Sequence, residues 1–206
     1  MIDKNKIFEF KYIIFDLDGT LCDTEHLHAD AWTAVAQKYG MPPITHELLI
    51  KIGGISTINL SKMFCKQYGI DVDPQIIADE KAQNYFDNFL PKTQKFESIC
   101  SILREAHDRG IKTAIATGSQ IKETNYLIEL FGLTAYVDAV VTADQIKNGK
   151  PAPDTYLEAC KRLNATPSEC LVFEDTPIGL QGVKAAGMTC IKVFEGKIVS
   201  DDFIKP

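Results

Sequence analysis

Four short polar clusters carry the chemistry legible in this chain. Asp16 and Asp18 stand two residues apart in Asp16-Leu17-Asp18-Gly19-Thr20-Leu21, straight after the apolar run Tyr12–Phe15. Thr117-Gly118-Ser119 follows a second such run, Thr113–Ala116. Lys150 lies in Gly149-Lys150-Pro151-Ala152-Pro153-Asp154, and Glu174-Asp175 follows Leu171–Phe173. Two close carboxylates raise each other's pKa unless a cation neutralises them. Mg²⁺, a hard ion that prefers oxygen ligands, is the natural partner. Hydroxyls and backbone N–H groups at a helix start cradle anions. A lysine held between Gly and Pro can reach a phosphate as a point charge. Together these are a nucleophile, a metal site and donors for equatorial oxygens, which is what phosphoryl transfer needs.

Taken singly, each cluster has a plainer reading. A bare D-x-D is as often a loop or a helix cap, and Thr-Gly-Ser is an ordinary cap. Lys150 alone reads as a solvated loop lysine, and Glu174-Asp175 alone reads as an exposed turn. The combination is what decides. Each cluster sits at or just beyond a strand, and the carboxyl ends of central parallel strands share a ligand-binding crevice.

The elements that must position these groups are short strands alternating with helices. Val137–Val141 and Cys190–Val193 add two more strands. Ile99, Ile102, Leu103 and Ala106 follow a helical stripe, as do Leu127, Ile128 and Phe131, then Tyr156, Cys160 and Leu163. Gly110, Gly132 and Gly187 end helices. This alternation predicts an α/β fold with a Rossmann-like parallel sheet. Residues 24–90 break the rhythm. Leu27, Ala31, Val35 and Tyr39 lie four apart, and further helical stretches fall near 45–51, 57–68 and 75–90. The expectation is an α/β core of residues 1–22 and 91–206, with an inserted all-helical cap domain of residues 23–90.

Composition sets the class. The 206 residues are 45% hydrophobic and 24% charged, with a net charge of −6. No apolar run reaches about 18 residues, no basic cluster suggests nucleic acid, and the first ten residues lack a secretion-signal pattern. The six cysteines show neither C-x-x-C spacing nor a zinc pattern, so they are expected to be buried, reduced thiols. A cytoplasmic monomer is the expectation, with neither nucleic acid nor a membrane as partner.

The order Asp16-Leu17-Asp18-Gly19-Thr20, Thr117-Gly118-Ser119, Lys150, Glu174-Asp175 resembles the four signature motifs of the haloacid dehalogenase superfamily. The helical insert after the first motif resembles the cap of the beta-phosphoglucomutase-like subgroup. Asp138–Asp144, Lys150–Tyr156 and Val172–Met188 look like that subgroup's sugar-phosphate phosphatases. The resemblance implies a Mg²⁺-dependent phosphatase acting on a small phosphorylated metabolite, such as a sugar phosphate, through an aspartyl phosphate. Asp16 would be the nucleophile and Asp18 the general acid and base. Thr117, Gly118, Ser119 and Lys150 would bind the phosphoryl group. Asp16, the backbone carbonyl of Asp18 and Asp175 would hold the metal, with Glu174 a ligand or a support behind one.

The cap is expected to read the leaving group and exclude water. Its specificity loop is placed at Ile52-Gly53-Gly54-Ile55-Ser56-Thr57, where Gly54, Ser56 and Thr57 are candidate substrate contacts; an ordinary helix-helix turn is an equal alternative. His28 resembles a histidine of the cap linker. Related phosphomutases carry a Lys and an Arg where Gly53 and Thr57 stand here, which favours a phosphatase over a phosphomutase. A receiver-type signalling domain also uses Asp, Thr, Lys and Mg²⁺, but its carboxylate spacing differs and it needs no large insert. Trp32 is expected in the core.

Overall fold

Alternate residues of the short apolar runs face opposite sides of one sheet, and that alternation fixes what lies beside the polar clusters. A computed structural model describes residues 3–51, 56–200 and 202–206. Helix α1 (Lys4–Ile7) precedes β1 (Tyr12–Phe15). The short β2 (Cys22–Asp23) and β3 (Gln94–Lys95) bracket a helical stretch of α2 (Glu25–Lys38), α3 (His46–Lys51), α4 (Thr57–Tyr68) and α5 (Pro74–Asn84). There follow α6 (Glu97–Asp108), β4 (Lys112–Ala116), α7 (Ile121–Leu130), β5 (Ala139–Val141) and α8 (Asp154–Arg162). The chain continues with β6 (Cys170–Glu174), α9 (Pro177–Ala185), β7 (Thr189–Phe194) and β8 (Lys197–Ile198). The main sheet has the order β5-β4-β1-β6-β7-β8, parallel except for β8. It is the Rossmann-like α/β arrangement that the strand-helix alternation predicts.

Ile14, Ala114, Ala116, Val141 and Val172 bury one sheet face against Tyr156, Ala159 and Cys160 of α8 and Val183 of α9. On β1 and β6, Phe15 and Phe173 stack with ring centroids 4.9 Å apart. Burial of this kind contributes about 1.5–3 kcal/mol per large apolar side chain.

The strands differ from expectation at their ends. Val137 and Asp138 stay outside β5, because Asp138 is occupied by Thr113: its N–H donates to the Thr113 carbonyl (2.9 Å) and its Oδ2 accepts from the Thr113 N–H (2.8 Å). Conversely, β6 runs on through Glu174, which pairs with Lys192 of β7. Glu174 is therefore a strand residue and not part of a following turn. Helix α1, the two-residue strands β2 and β3 and the edge strand β8 are too short to leave a periodic signal.

The chain divides into one compact unit of Met1–Asp23 with Gln94–Pro206 and another of Thr24–Thr93. The second unit has its own core of Trp32, Val35, Ala36, Leu60, Phe64 and Ile77, with Trp32 and Phe64 edge to face at 5.4 Å. Trp32 is thus a core residue. The expected helix over 75–90 is α5, followed by a wider π turn at Tyr85–Phe89 and a 3₁₀ turn at Leu90–Lys92 that contains Pro91. All six cysteines are free and buried. Among the described residues, no helix is long and apolar enough to cross a membrane.

Candidate active site

Strand register brings the acids together. Phe15 pairs with Phe173 in parallel register, and the Asp16 N–H donates to the Phe173 carbonyl at 2.9 Å. Asp16 and Glu174 are the next residues along these adjacent strands. Side chains alternate along a strand, so both acids share the parity of Ile14 and Val172, which face α8. The chain leaves β1 towards β4 and leaves β6 towards β7, on the other side of β1. Such a switch point is where a parallel sheet opens a crevice beyond its strand ends.

Lys150 is held between the two acids. Its Nζ lies 2.5 Å from Asp16 Oδ1 and 2.9 Å from Glu174 Oε2. Burial pulls the Lys150 pKa down, but the two carboxylates outweigh it and raise the pKa well above the usual lysine range. Burial raises the Asp16 pKa well above its ordinary value; Lys150 opposes the rise, while Glu174, Asp175 and Asp18 add to it. One ammonium does not neutralise this group of acids. Oxygens of Asp16, Glu174 and Asp175 lie within 4.8 Å of one another. A set of hard oxygen donors with excess negative charge fits a divalent cation such as Mg²⁺.

The Glu174 carboxylate is caged. It is fully buried. Oε2 accepts from Lys150 and from the Tyr156 hydroxyl at 2.5 Å; Oε1 accepts from the Thr176 N–H at 2.9 Å and its Oγ1 at 2.7 Å. Burial alone would raise the Glu174 pKa, but Lys150, Tyr156 and Thr176 bring it below the usual range. The Thr176 hydroxyl also accepts from the Gly179 N–H, capping α9, which has Pro177 in its first turn. A Cβ at Gly179 would sit 2.1 Å from the Glu174 carboxyl carbon, so the helix start presses directly on this group.

The turn after Asp16 is closed by backbone bonds. Leu17 is buried, and its carbonyl accepts from the N–H groups of Thr20, Leu21 and Cys22. Gly19 has φ +78°, in the left-handed region that side chains disfavour. A Cβ there would also meet Asp175 Oδ2 at 2.2 Å. Thr20 Oγ1 donates to Asp175 Oδ1 at 3.1 Å.

Asp18 faces the second cluster. Its Oδ2 accepts from Ser119 Oγ at 2.6 Å and Thr117 Oγ1 at 3.2 Å, while the Ser119 N–H donates to Thr117 Oγ1 at 3.0 Å. The hydroxyls expected to bind phosphate thus bond to Asp18 here. The Asp18 carboxylate lies outside the group formed by Asp16, Glu174 and Asp175. Gly118, between the two hydroxyl residues, has nothing within 4 Å of a Cβ position.

The structure therefore gathers Asp16, Asp18, Thr117, Ser119, Lys150, Glu174 and Asp175 around the ends of β1, β4 and β6. The remaining candidates belong to the helical unit. Gly54 lies outside the described residues, as does Gly53. Ser56 is exposed at the start of α4 and makes no side-chain cap bond; the Thr57 carbonyl accepts from Ser61 Oγ at 3.0 Å. His28 stacks on Tyr85 at 4.0 Å, and its Nδ1 is 2.7 Å from Lys81 Nζ. Burial first and the Lys81 charge second hold its pKa well below the histidine range.

Sequence reasoning missed Tyr156, Thr20 and Thr176. Tyr156 fits the apolar stripe of α8, so periodicity assigns its ring to the core and is silent about its hydroxyl. The available signal was strand parity, which points Glu174 at α8.

The chain is similar to known proteins along most of its length. A profile described as haloacid dehalogenase-like hydrolase matches residues 13–193. The chain is 35% identical over 181 residues to fructose-1-phosphate phosphatase YqaB of Escherichia coli, covering 88% of this chain and 95% of that protein. It is 31% identical to a phosphorylated carbohydrates phosphatase of Thermotoga maritima, covering 85% of this chain and 81% of the relative. The solved beta-phosphoglucomutase of Clostridium difficile superposes with a TM-score of 0.74 at 25% identity, covering 89% and 84% of the two chains.

Proposed function

The chain belongs to the haloacid dehalogenase-like hydrolases, and from that premise we propose that it is a Mg²⁺-dependent phosphoric monoester hydrolase acting on a small sugar phosphate through an aspartyl phosphate. The observation that carries this reading is the arrangement of Asp16, Lys150, Glu174 and Asp175 at one switch point of the sheet.

Asp16 attacks phosphorus with a carboxylate oxygen, forming the acyl phosphate. The bond to the leaving oxygen breaks, and Asp18 gives that oxygen a proton. Asp18 then takes a proton from a water that attacks the same phosphorus, releasing inorganic phosphate and restoring Asp16. Lys150 and Thr117 donate to the phosphoryl oxygens, with help from the Gly118 and Ser119 backbone. Asp16, Asp175 and the Asp18 carbonyl would hold Mg²⁺, which when bound would supply the charge neutralisation that lets two anions approach. The sugar-phosphate relatives support the substrate class. Recognition of the leaving group is assigned to the helical unit, with His28, Gly54, Ser56 and Thr57 as its candidates. A cytoplasmic monomer remains part of this reading, and the free, buried thiols support a reducing compartment.

The likeness to a beta-phosphoglucomutase favours a second reading, a phosphomutase. One assay separates them. Hexose monophosphates incubated with Mg²⁺ are expected to release inorganic phosphate, to stop doing so with a chelator and to resume when Mg²⁺ is restored. Isomerised sugar phosphate with little free phosphate would overturn the hydrolase reading.

A further inference from the structure

Glu174 Oε2 receives two donors, the Lys150 ammonium at 2.9 Å and the Tyr156 hydroxyl at 2.5 Å. Lys150 is also 2.5 Å from Asp16 Oδ1 and lies 5.0 Å above the Tyr156 ring. Tyr156 is fully buried in the first turn of α8, and its ring edge would be 3.1 Å from a Cβ at Gly182 of α9. Packing between the two helices thus fixes where the hydroxyl points.

The two donors compete for one oxygen. A hydrogen bond from Tyr156 stabilises charge on Oε2 that would otherwise be stabilised by Lys150 alone. The ammonium is then shared between Glu174 and Asp16 instead of being captured by Glu174. With Oε1 taken by the two Thr176 donors, Glu174 is left with little capacity for a metal. Asp16 and Asp175 remain the carboxylates of this group that could hold a cation.

We propose that Tyr156 is a positioning residue: its hydroxyl saturates Glu174 and so holds Lys150 towards Asp16, where the phosphoryl group arrives. The proposal rests on the phosphatase reading above. It assigns Glu174 to the support of Lys150 instead of to metal ligation.

The test is Tyr156→Phe, which keeps the ring and its packing. A hydrogen bond to a buried charge is worth about ten- to a hundredfold in an equilibrium. The variant is expected to lose about tenfold or more in kcat. Its Mg²⁺ dissociation constant, measured by titration calorimetry without substrate, is expected to stay within about twofold. A kcat within about twofold of wild type would overturn the proposal. So would Mg²⁺ affinity falling in parallel with kcat, since Tyr156 would then serve the metal ligands. A double-mutant cycle with Glu174→Gln guards against a general folding defect. The Tyr156→Phe effect is expected to vanish when Glu174→Gln is already present, and an undiminished effect there also contradicts the proposal. Absence of phosphate release by the wild type would instead count against the phosphatase reading.

Discussion

Lys150 Nζ lies 2.5 Å from Asp16 Oδ1, and both side chains are nearly withdrawn from solvent. The nucleophile assigned here is thus paired with the group assigned to bind the phosphoryl oxygens. Removing either partner of a buried pair strands the other, a change that typically costs about 3–5 kcal/mol. Protonation of Asp16 limits that cost here, because its pKa is already raised. Lys150→Met is expected to destabilise the metal-free protein by about 3 kcal/mol in urea unfolding and to slow phosphate release by about 10²–10³-fold. Wild-type stability in the variant would show that the pair contributes nothing.

Gly19 carries two constraints at once. Its φ of +78° disfavours any side chain, and a Cβ would collide with Asp175 Oδ2 at 2.2 Å. Gly19→Ala is expected to displace Asp175, weakening Mg²⁺ binding by at least about tenfold in calorimetry, and to lower stability by about 1–3 kcal/mol. Unchanged Mg²⁺ affinity would separate Asp175 from the metal.

His28 gives a pH dependence with a definite sign. Its folded pKa lies well below the ordinary 6.5. Below about pH 6.5, the unfolded chain takes up a proton at His28 that the folded chain refuses. Stability contributed by neutral His28 is therefore intact above that value and falls as pH drops through it, by up to about 1.4 kcal/mol per unit. Urea unfolding from about pH 7.5 down to about pH 5 is expected to show this slope in the wild type and a shallower one in His28→Gln. Equal slopes would mean that His28 does not titrate as the structure implies.

Much of the core was legible because parallel strands and amphipathic helices leave strong periodic signals. The placement of Asp16 and Asp175 near one another followed from two apolar runs ending in acids. Other features left no such trace. Glu174 joins β6 through a pairing with Lys192 that no local pattern announces. Asp138 leaves β5 because Thr113 satisfies it from another strand. The Asp18 bonds to Thr117 and Ser119 join residues 99 and 101 positions apart in sequence, and spacing says nothing about which hydroxyl meets which carboxylate. Lys81, inside the stretch expected to be helical near 75–90, is buried with its Nζ 4.7 Å from the centre of the Tyr85 ring.

Covalent attack by Asp16 is the centre of the account, and trapping the phosphoenzyme tests it most directly. Asp18→Asn removes the group assigned both to protonate the leaving oxygen and to activate water. With an aryl phosphate, whose leaving group needs no proton, formation is spared and the aspartyl phosphate is expected to accumulate. The variant is mixed with p-nitrophenyl phosphate and Mg²⁺, quenched in acid, digested and mapped by mass spectrometry. The phosphoryl group is expected on the peptide containing Asp16, and Asp16→Asn is expected to abolish both the label and turnover. A label on another residue, or near-normal turnover by Asp16→Asn, would contradict the mechanism.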